Sequence, residues 1–334
     1  MKSLLEQLLN KEDLSSEIAF QTMYEIMSGN YTDIEISGFL IALRSKGESI
    51  NEITGFAKAM REKMIPVNLT KPAIDMCGTG GDSSGTFNIS TASSFVVAGS
   101  GINVAKHGNR SMTSKSGSAD VLEALGINVN NSPEESAKNI DQIGLDFLFA
   151  PAYHPAMKFA IPSRKGLAVR TVFNILGPLC NPANVTSQTM GVFHKDYISV
   201  QAKVLKALKS KNVMIFHGKD GLDEISTTAN TLICEMRNGT EITNYELNPE
   251  KFGIEKVLLN DLKGGSPEQN AKIIINILNG EKGPMRDVVL INAASGIIVG
   301  NKAKNFDEAI DIAKESIDSG KAKKILEKLS KWPF

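Results

Sequence analysis

The chain has 334 residues, enough for one large domain or two unequal ones around a substantial core. Lys plus Arg and Asp plus Glu each number 37, so the formal charge is zero. That balance argues against a broad basic footprint for nucleic acid or an anionic membrane, while leaving room for a local cluster that takes one small anion.

The N-terminal segment MKSLLEQLLNKEDLSSE lacks an apolar signal region, and no stretch approaches the roughly 18 apolar residues of a membrane span. Cys77, Cys180 and Cys234 are scattered with no CxxC pair, which reads as reduced thiols rather than a disulfide frame or zinc site. A cytoplasmic protein is expected.

Residues up to about 65 read as helices only. A first helix over roughly 15–28 carries Ile18, Met23, Ile26 and Met27 and stops near Gly29. Thr32 with Glu35, and Ser49 with Glu52, have capping-box spacing. Ile36, Phe39, Leu40 and Leu43 follow the first pair, and Ile53, Phe56, Ala57, Met60 and Met64 the second, each set forming one apolar face. From about residue 72, short apolar runs alternate with helical stretches. Strands are predicted over 74–77, 102–106, 146–150, 188–194, 212–217 and 287–292. Helices are predicted over 133–143, 196–209, 267–279 and 306–318. This alternation indicates an α/β domain with a mostly parallel central sheet. Asn238-Gly239 inside 231–246 predicts an antiparallel edge hairpin.

Four stretches carry chemistry. The first, Cys77 to Thr91, is a glycine-rich strand-to-helix turn where backbone can approach a ligand and free N–H groups attract phosphate. Its spacing fits neither a Walker A loop nor a Rossmann fingerprint, and alone it is equally a tight turn of small residues. The second, Lys106 to Ser118, concentrates cations, hydroxyls and glycines after a strand, as an anion cradle requires; a solvated surface loop is the plainer alternative. The third places Asp223 and Glu224 on a glycine-punctuated loop. Such a pair suits Mg²⁺ bound partly by substrate phosphates, although an isolated Asp-Glu is more often a surface pair. In the fourth, Arg164 to Pro182, Arg164 is either a carboxylate fork or an ordinary surface arginine.

Together these stretches resemble the anthranilate phosphoribosyltransferases over nearly the whole chain. The resemblance rests on GTGGD at 78–82, NIST at 88–91, KHGNRSMTSKSGSADVLEALG at 106–126, RTVFNILGPLCNP at 170–182 and HGKDGLDEIS at 217–226. It implies a small all-helical domain, residues 1–70 joined by part of 160–185, plus a larger α/β domain, 71–334. It also implies a homodimer formed through the helical domain. The implied substrates are phosphoribosyl pyrophosphate and anthranilate, with two Mg²⁺ per active site. By motif, Gly78, Gly81, Asp82, Thr86, Asn88, Ile89, Ser90 and Thr91 would line the sugar-phosphate donor. Lys106, His107, Gly108, Asn109, Arg110, Ser111, Met112, Thr113, Ser114 and Ser118 would close around its phosphates. Ser90, Asp223 and Glu224 would position the metal. Gly78, Asn109 and Arg164 would contact anthranilate, with His107 and Pro178 flanking its ring. One departure is Leu167-Ala168, where the family usually has Leu-Gly.

The implied chemistry builds positive charge on the sugar as its bond to pyrophosphate breaks, while Mg²⁺ and cations meet the charge of the leaving group. An aromatic amine already has a lone pair, so no general base is obligatory; His107 is a candidate proton acceptor. The nearest rival is a pyrimidine nucleoside phosphorylase. A non-catalytic nucleic-acid-binding relative is the alternative from another class, disfavoured by the zero net charge.

Overall fold

The computed structural model describes residues 1–82, 84–110 and 115–330. The chain opens with α1 (Lys2–Leu9), α2 (Ser16–Ser28), α3 (Asp33–Lys46) and α4 (Ile50–Lys63). Both expected capping boxes are present, at Thr32–Glu35 and Ser49–Glu52. Glu52 does more than cap. It is fully buried, accepts the Leu14 N–H at 2.9 Å and pairs with Lys46 at 3.0 Å, fastening α4 to the α1–α2 loop and to the end of α3. At Gly55 an added Cβ would overlap the Ser16 carbonyl and lie 2.8 Å from Ala19 Cβ, so α2 and α4 meet backbone to backbone. Phe39 and Phe56 pack edge to face at 6.0 Å in the bundle centre.

Beyond the bundle run β1 (Ile74–Gly78), α5 (Ile89–Gly99), β2 (Val104–Gly108), α6 (Ser118–Ala124), α7 (Pro133–Gln142) and β3 (Leu145–Phe149). Short helices α8 (Ala150–Tyr153), α9 (Ile161–Leu167) and α10 (Phe173–Leu176) lead to β4 (Ser187–Gly191), α11 (Asp196–Ala207) and β5 (Asn212–Gly218). The hairpin β6 (Thr231–Arg237) and β7 (Glu241–Leu247) precedes α12 (Pro267–Leu278), α13 (Pro284–Val299), α14 (Phe306–Asp318) and α15 (Lys321–Leu329). The sheet order is β3-β2-β1-β4-β5-β6-β7, parallel through β5 and antiparallel in the last two pairings. Asn238 and Gly239 both have positive φ, as the hairpin turn requires.

Strand alternation divides the core. Met214 and Phe216 of β5 face the cluster built from α5, α13, α14 and α15. Val213 and Ile215 face the other way, into a cluster shared by α11, the bundle, and Phe173, Ile175, Leu176 and Leu179. The segment around 160–180 is therefore packed against the N-terminal helices. No helix among the described residues is long and apolar enough to cross a membrane.

One expected strand is corrected. Residues 287–292 lie inside α13, not in the sheet. The apolar run continues to Val299, and every residue from Val288 onward is buried between α5, α14 and the sheet. A helix buried all round loses the 3.6-residue stripe that would distinguish it from a buried strand; its length of 16 residues was the available signal.

Candidate active site

β1, β2, β4 and β5 each end in glycine, at Gly78, Gly108, Gly191 and Gly218. Because β1 pairs with both β2 and β4, the winding reverses there, and ligand clefts form outside strand ends at such a switch point. The glycines let the β5 loop fold down onto that edge. A Cβ at Gly191 would overlap the Asp223 carbonyl oxygen, and one at Gly78 would lie 3.1 Å from Asp223 Oδ2. The loop is pinned from below by Asn292 of α13, which accepts the Ile225 N–H at 2.9 Å and donates to its carbonyl at 2.8 Å. Asp220 accepts the Ser226 hydroxyl at 2.6 Å, closing the loop on itself.

Three carboxylates meet there. Asp223 Oδ2 accepts the Gly80 N–H at 2.8 Å, and Asp223 N–H reaches Asp82 Oδ2 at 3.4 Å. Glu224 Oε1 accepts the Ser90 N–H at the start of α5, at 3.2 Å. Burial, then the charge of Asp82, push Asp223 up to about 7. Burial and the charge of Asp223 raise Glu224 well above its ordinary value, partly offset by Lys106. Lys106, itself lowered by burial, donates to the Met76 carbonyl at 2.6 Å and to Ser90 Oγ at 3.3 Å. Of the three crowded acids only Glu224 has Lys106 as a charged neighbour, so their ionised forms repel one another and a hard cation would relieve that repulsion. Among the described residues no group of three or more His, Cys, Asp or Glu side chains forms a ready metal cage. A few carboxylates, a hydroxyl and phosphate oxygens are what Mg²⁺ takes, so the donor set fits that ion.

The cradle residues are partly braced by one another. Asn88 donates to the Ser116 carbonyl at 3.1 Å and accepts from Asn270 Nδ2 at 2.9 Å, tying α5 to the cradle and to α12. Thr91 and Ser118 hydroxyls meet at 3.3 Å. Thr86 lies 3.3 Å from Ser84 Oγ, which donates to Asp82 Oδ1 at 3.0 Å. Ile89 is buried in the core and its N–H is bonded to the Phe87 carbonyl, so it contributes shape rather than a donor. Asn109 Oδ1 accepts the Arg110 N–H at 2.7 Å. Arg110 turns away from the cleft, forking onto Glu123 at 2.6 and 2.7 Å and reaching Asp120 at 2.9 Å. Ser111, Met112, Thr113 and Ser114 lie outside the described residues.

His107 is buried. Its backbone N–H donates to Asp75 Oδ1 at 3.1 Å, its ring bonds to the Gly177 backbone, and its ring centroid lies 5.2 Å from that of His154. Burial, then His154, hold it well below the usual imidazole range, so the ring is neutral. Its Nε2 is buried with no hydrogen-bond partner among the described residues. Pro178 is next to that contact, and its carbonyl accepts Gln188 Nε2 at 3.0 Å. Arg164 is half-buried on α9, its guanidinium 5.1 Å from the centroid of Phe173. It has no ion pair among the described residues, and burial lowers its pKa, so a carboxylate would complete it.

Sequence reasoning passed over several contributors. Asp75 sits in an apolar strand beside Lys106, with burial pushing it up to about 6; a lone acid in IDMC was its signal. Asn270 and Asn292 had none, because their partners are 182 and 67 residues away. A cavity of about 220 Å³ lies at the far end of β5 and β6, lined by Asn212, Arg237 and Lys304, and holds none of the site residues.

A helical bundle joined to an α/β domain whose cleft pairs an anion cradle with an acidic cluster is the architecture of a glycosyl transferase. Residues 2–64 match the glycosyl transferase family helical bundle domain and residues 70–323 its a/b domain. The anthranilate phosphoribosyltransferase of Clostridium kluyveri is 50% identical over 323 residues, 96% of each chain. The crystal structure of the Thermus thermophilus anthranilate phosphoribosyltransferase superposes with a TM-score of 0.92 at 38% identity, covering 98% of both chains. The Saccharomyces cerevisiae enzyme in complex with PRPP and Mg gives 0.89 at 31% identity, covering 98% of this chain and 96% of that one. The chain belongs to the anthranilate phosphoribosyltransferase family.

Proposed function

We propose that the chain transfers the 5-phosphoribosyl group of phosphoribosyl pyrophosphate to the amino nitrogen of anthranilate, releasing pyrophosphate, in tryptophan biosynthesis. The observation that carries this reading is the crowded Asp82, Asp223 and Glu224 cluster over the β1/β4 switch point, with Ser90 bonded to both Glu224 and Lys106.

Ser90, Asp223 and Glu224 would hold Mg²⁺, two ions per site, directly or through water. When bound, the metal supplies charge to screen the pyrophosphate from these acids and to favour its departure. The rest is done by the chain. Gly78, Gly81, Asp82, Thr86 and the 88–91 turn shape the donor cleft, and Lys106, Gly108, Asn109, Arg110 and Ser118 edge its phosphates. In this reading Arg110 exchanges its acidic partners on α6 for phosphate. Arg164 takes the anthranilate carboxylate, Gly78 and Asn109 line the amine, and His107 with Pro178 walls the ring. Orientation of the amine opposite the leaving group supplies much of the rate, since effective molarity is worth roughly 7–11 kcal/mol. No general base is obligatory; neutral His107, with its open Nε2, is the candidate acceptor for the departing proton. The division at 70/71, with part of 160–185 joining the helical unit, a homodimer through that unit, and a cytoplasmic setting belong to the same reading.

The test is anthranilate fluorescence with phosphoribosyl pyrophosphate, with and without Mg²⁺, on wild type and Asp223→Asn. Metal-dependent consumption that collapses in the variant is expected. A well-folded wild type that leaves anthranilate untouched but cleaves thymidine or uridine with phosphate would overturn the proposal.

A further inference from the structure

Arg170 lies in the irregular stretch between α9 and α10, yet three separate segments converge on it. Its Nη2 donates to the Gly81 carbonyl at 2.5 Å. Its guanidinium carbon sits 4.1 Å from the centroid of Phe193, within cation–π range. Phe193 in turn packs on Tyr197 of α11 at 5.1 Å and donates its N–H to Thr79 Oγ1 at 3.0 Å. The Arg170 carbonyl accepts from Arg44 Nη1 of α3 at 2.5 Å, which anchors the residue to the helical bundle. No carboxylate pairs with its guanidinium among the described residues, so the side chain is held by a carbonyl and a ring rather than by an acid.

What it grips matters. Gly80 and Gly81 have φ of +66° and +80°, two consecutive left-handed residues with no side chains to fix them. The residues on either side of Gly81 are the ones that meet Asp223: Gly80 through its N–H at 2.8 Å, and Asp82 through its carboxylate at 3.4 Å. A turn with that freedom needs an external hold to keep both contacts in register, and the Arg170 guanidinium lies 3.4 Å from where a Cβ on Gly81 would sit.

We propose that Arg170 is a positioning residue, clasping the glycine-rich turn between Gly81 and Phe193 so that Gly80 and Asp82 meet Asp223, and thereby setting affinity for the metal–pyrophosphate end of the donor rather than for the aromatic amine. The inference rests on the function proposed above. Arg170→Met keeps aliphatic bulk over Phe193 but removes the donor to Gly81 and the charge. Arg170→Lys keeps charge without the planar fork. Phe193→Leu removes the platform.

Steady-state kinetics with each substrate varied, together with melting curves, test the clasp. Arg170→Met is expected to raise the KM for phosphoribosyl pyrophosphate about 10- to 100-fold, the range of a hydrogen bond to a charged group, with the anthranilate KM within about twofold and the Tm close to wild type. Arg170→Lys should recover only part of this loss. Phe193→Leu should shift the same KM, and the double variant with Arg170→Met should be no worse than Arg170→Met alone, because both act on one clasp. A donor KM within threefold of wild type in Arg170→Met, or a fall in Tm with both KM values rising together, would overturn the assignment. A wild type without turnover would count against the activity itself, whereas an active wild type matched by Arg170→Met counts against Arg170 alone.

Discussion

Gly191→Ala probes whether close backbone approach holds the loop that carries Asp223 and Glu224. A Cβ there would overlap the Asp223 carbonyl oxygen. The loop has little freedom to yield, because Ile225 is bonded in both directions to Asn292 at 2.9 and 2.8 Å and Gly218 N–H bonds to the Leu222 carbonyl at 2.8 Å. Restoring ordinary contact requires about 1.5–2 Å of extra separation, so even if β4 takes up half of it Asp223 moves by about 1 Å, carrying Glu224 with it. A misplacement of about 1 Å costs roughly 10²-fold in rate, or about 2.7 kcal/mol of transition-state stabilisation. The assay is kcat/KM with both substrates, titrated against Mg²⁺, with circular dichroism and a thermal melt to measure the folded fraction. A drop of that size with a raised Mg²⁺ requirement is expected. Gly166→Ala is the control: nothing lies within 4 Å of its added Cβ, and alanine favours the helix. If Gly191→Ala keeps kcat/KM within threefold of wild type, or loses activity only in proportion to unfolding, the close-approach argument fails.

Two further outcomes follow from single residues. Ala168 caps α9 at φ +49°, a left-handed conformer that costs an L residue about 1–2 kcal/mol, so Ala168→Gly should stabilise the chain by about 0.5–1 kcal/mol after its greater unfolded-state entropy. Equal or lower stability in denaturant titration would show that no strain is stored there. His154 is lowered to about 4 by burial, from an ordinary 6.5. Its neutral form thus contributes stability that is present above pH 6.5 and is lost as pH falls to about 4, by up to about 3 kcal/mol. His154→Asn should flatten the acid limb of stability against pH by about one proton; an unchanged slope between pH 4 and 6.5 would refute this.

Much of the site was legible in the chain. The glycine-rich turn, the cradle and the Asp223-Glu224 pair are contiguous motifs, and their chemistry needs only neighbours in sequence to be suspected. The capping boxes at Thr32 and Ser49 and the Asn238-Gly239 hairpin were equally local. The misread strand at 287–292 marks a limit of that method: full burial removes the amphipathic pattern, and α13 became a helix by its packing between α5 and α14.

Other features were decided by long-range geometry. Arg110 is expected at the phosphates from the family motif, yet Arg110 and the acids of α6 come within reach of each other only when the cradle folds, and there they pair. Arg170 opens a recognisable motif, but its partner Gly81 is 89 residues earlier. Likewise the high pKa of Asp223 belongs to no motif; it arises because the folded cleft buries the carboxylate and, secondly, because Asp82, 141 residues away, is brought beside it. By itself the amino-acid sequence determined the fold class and the family and pointed to the candidate site segments, since propensity, capping and motif chemistry act over a few residues. Only the tertiary structure decided which charges face one another and which are already paired, because Coulomb interaction and desolvation depend on distances through space and on burial, not on order along the chain.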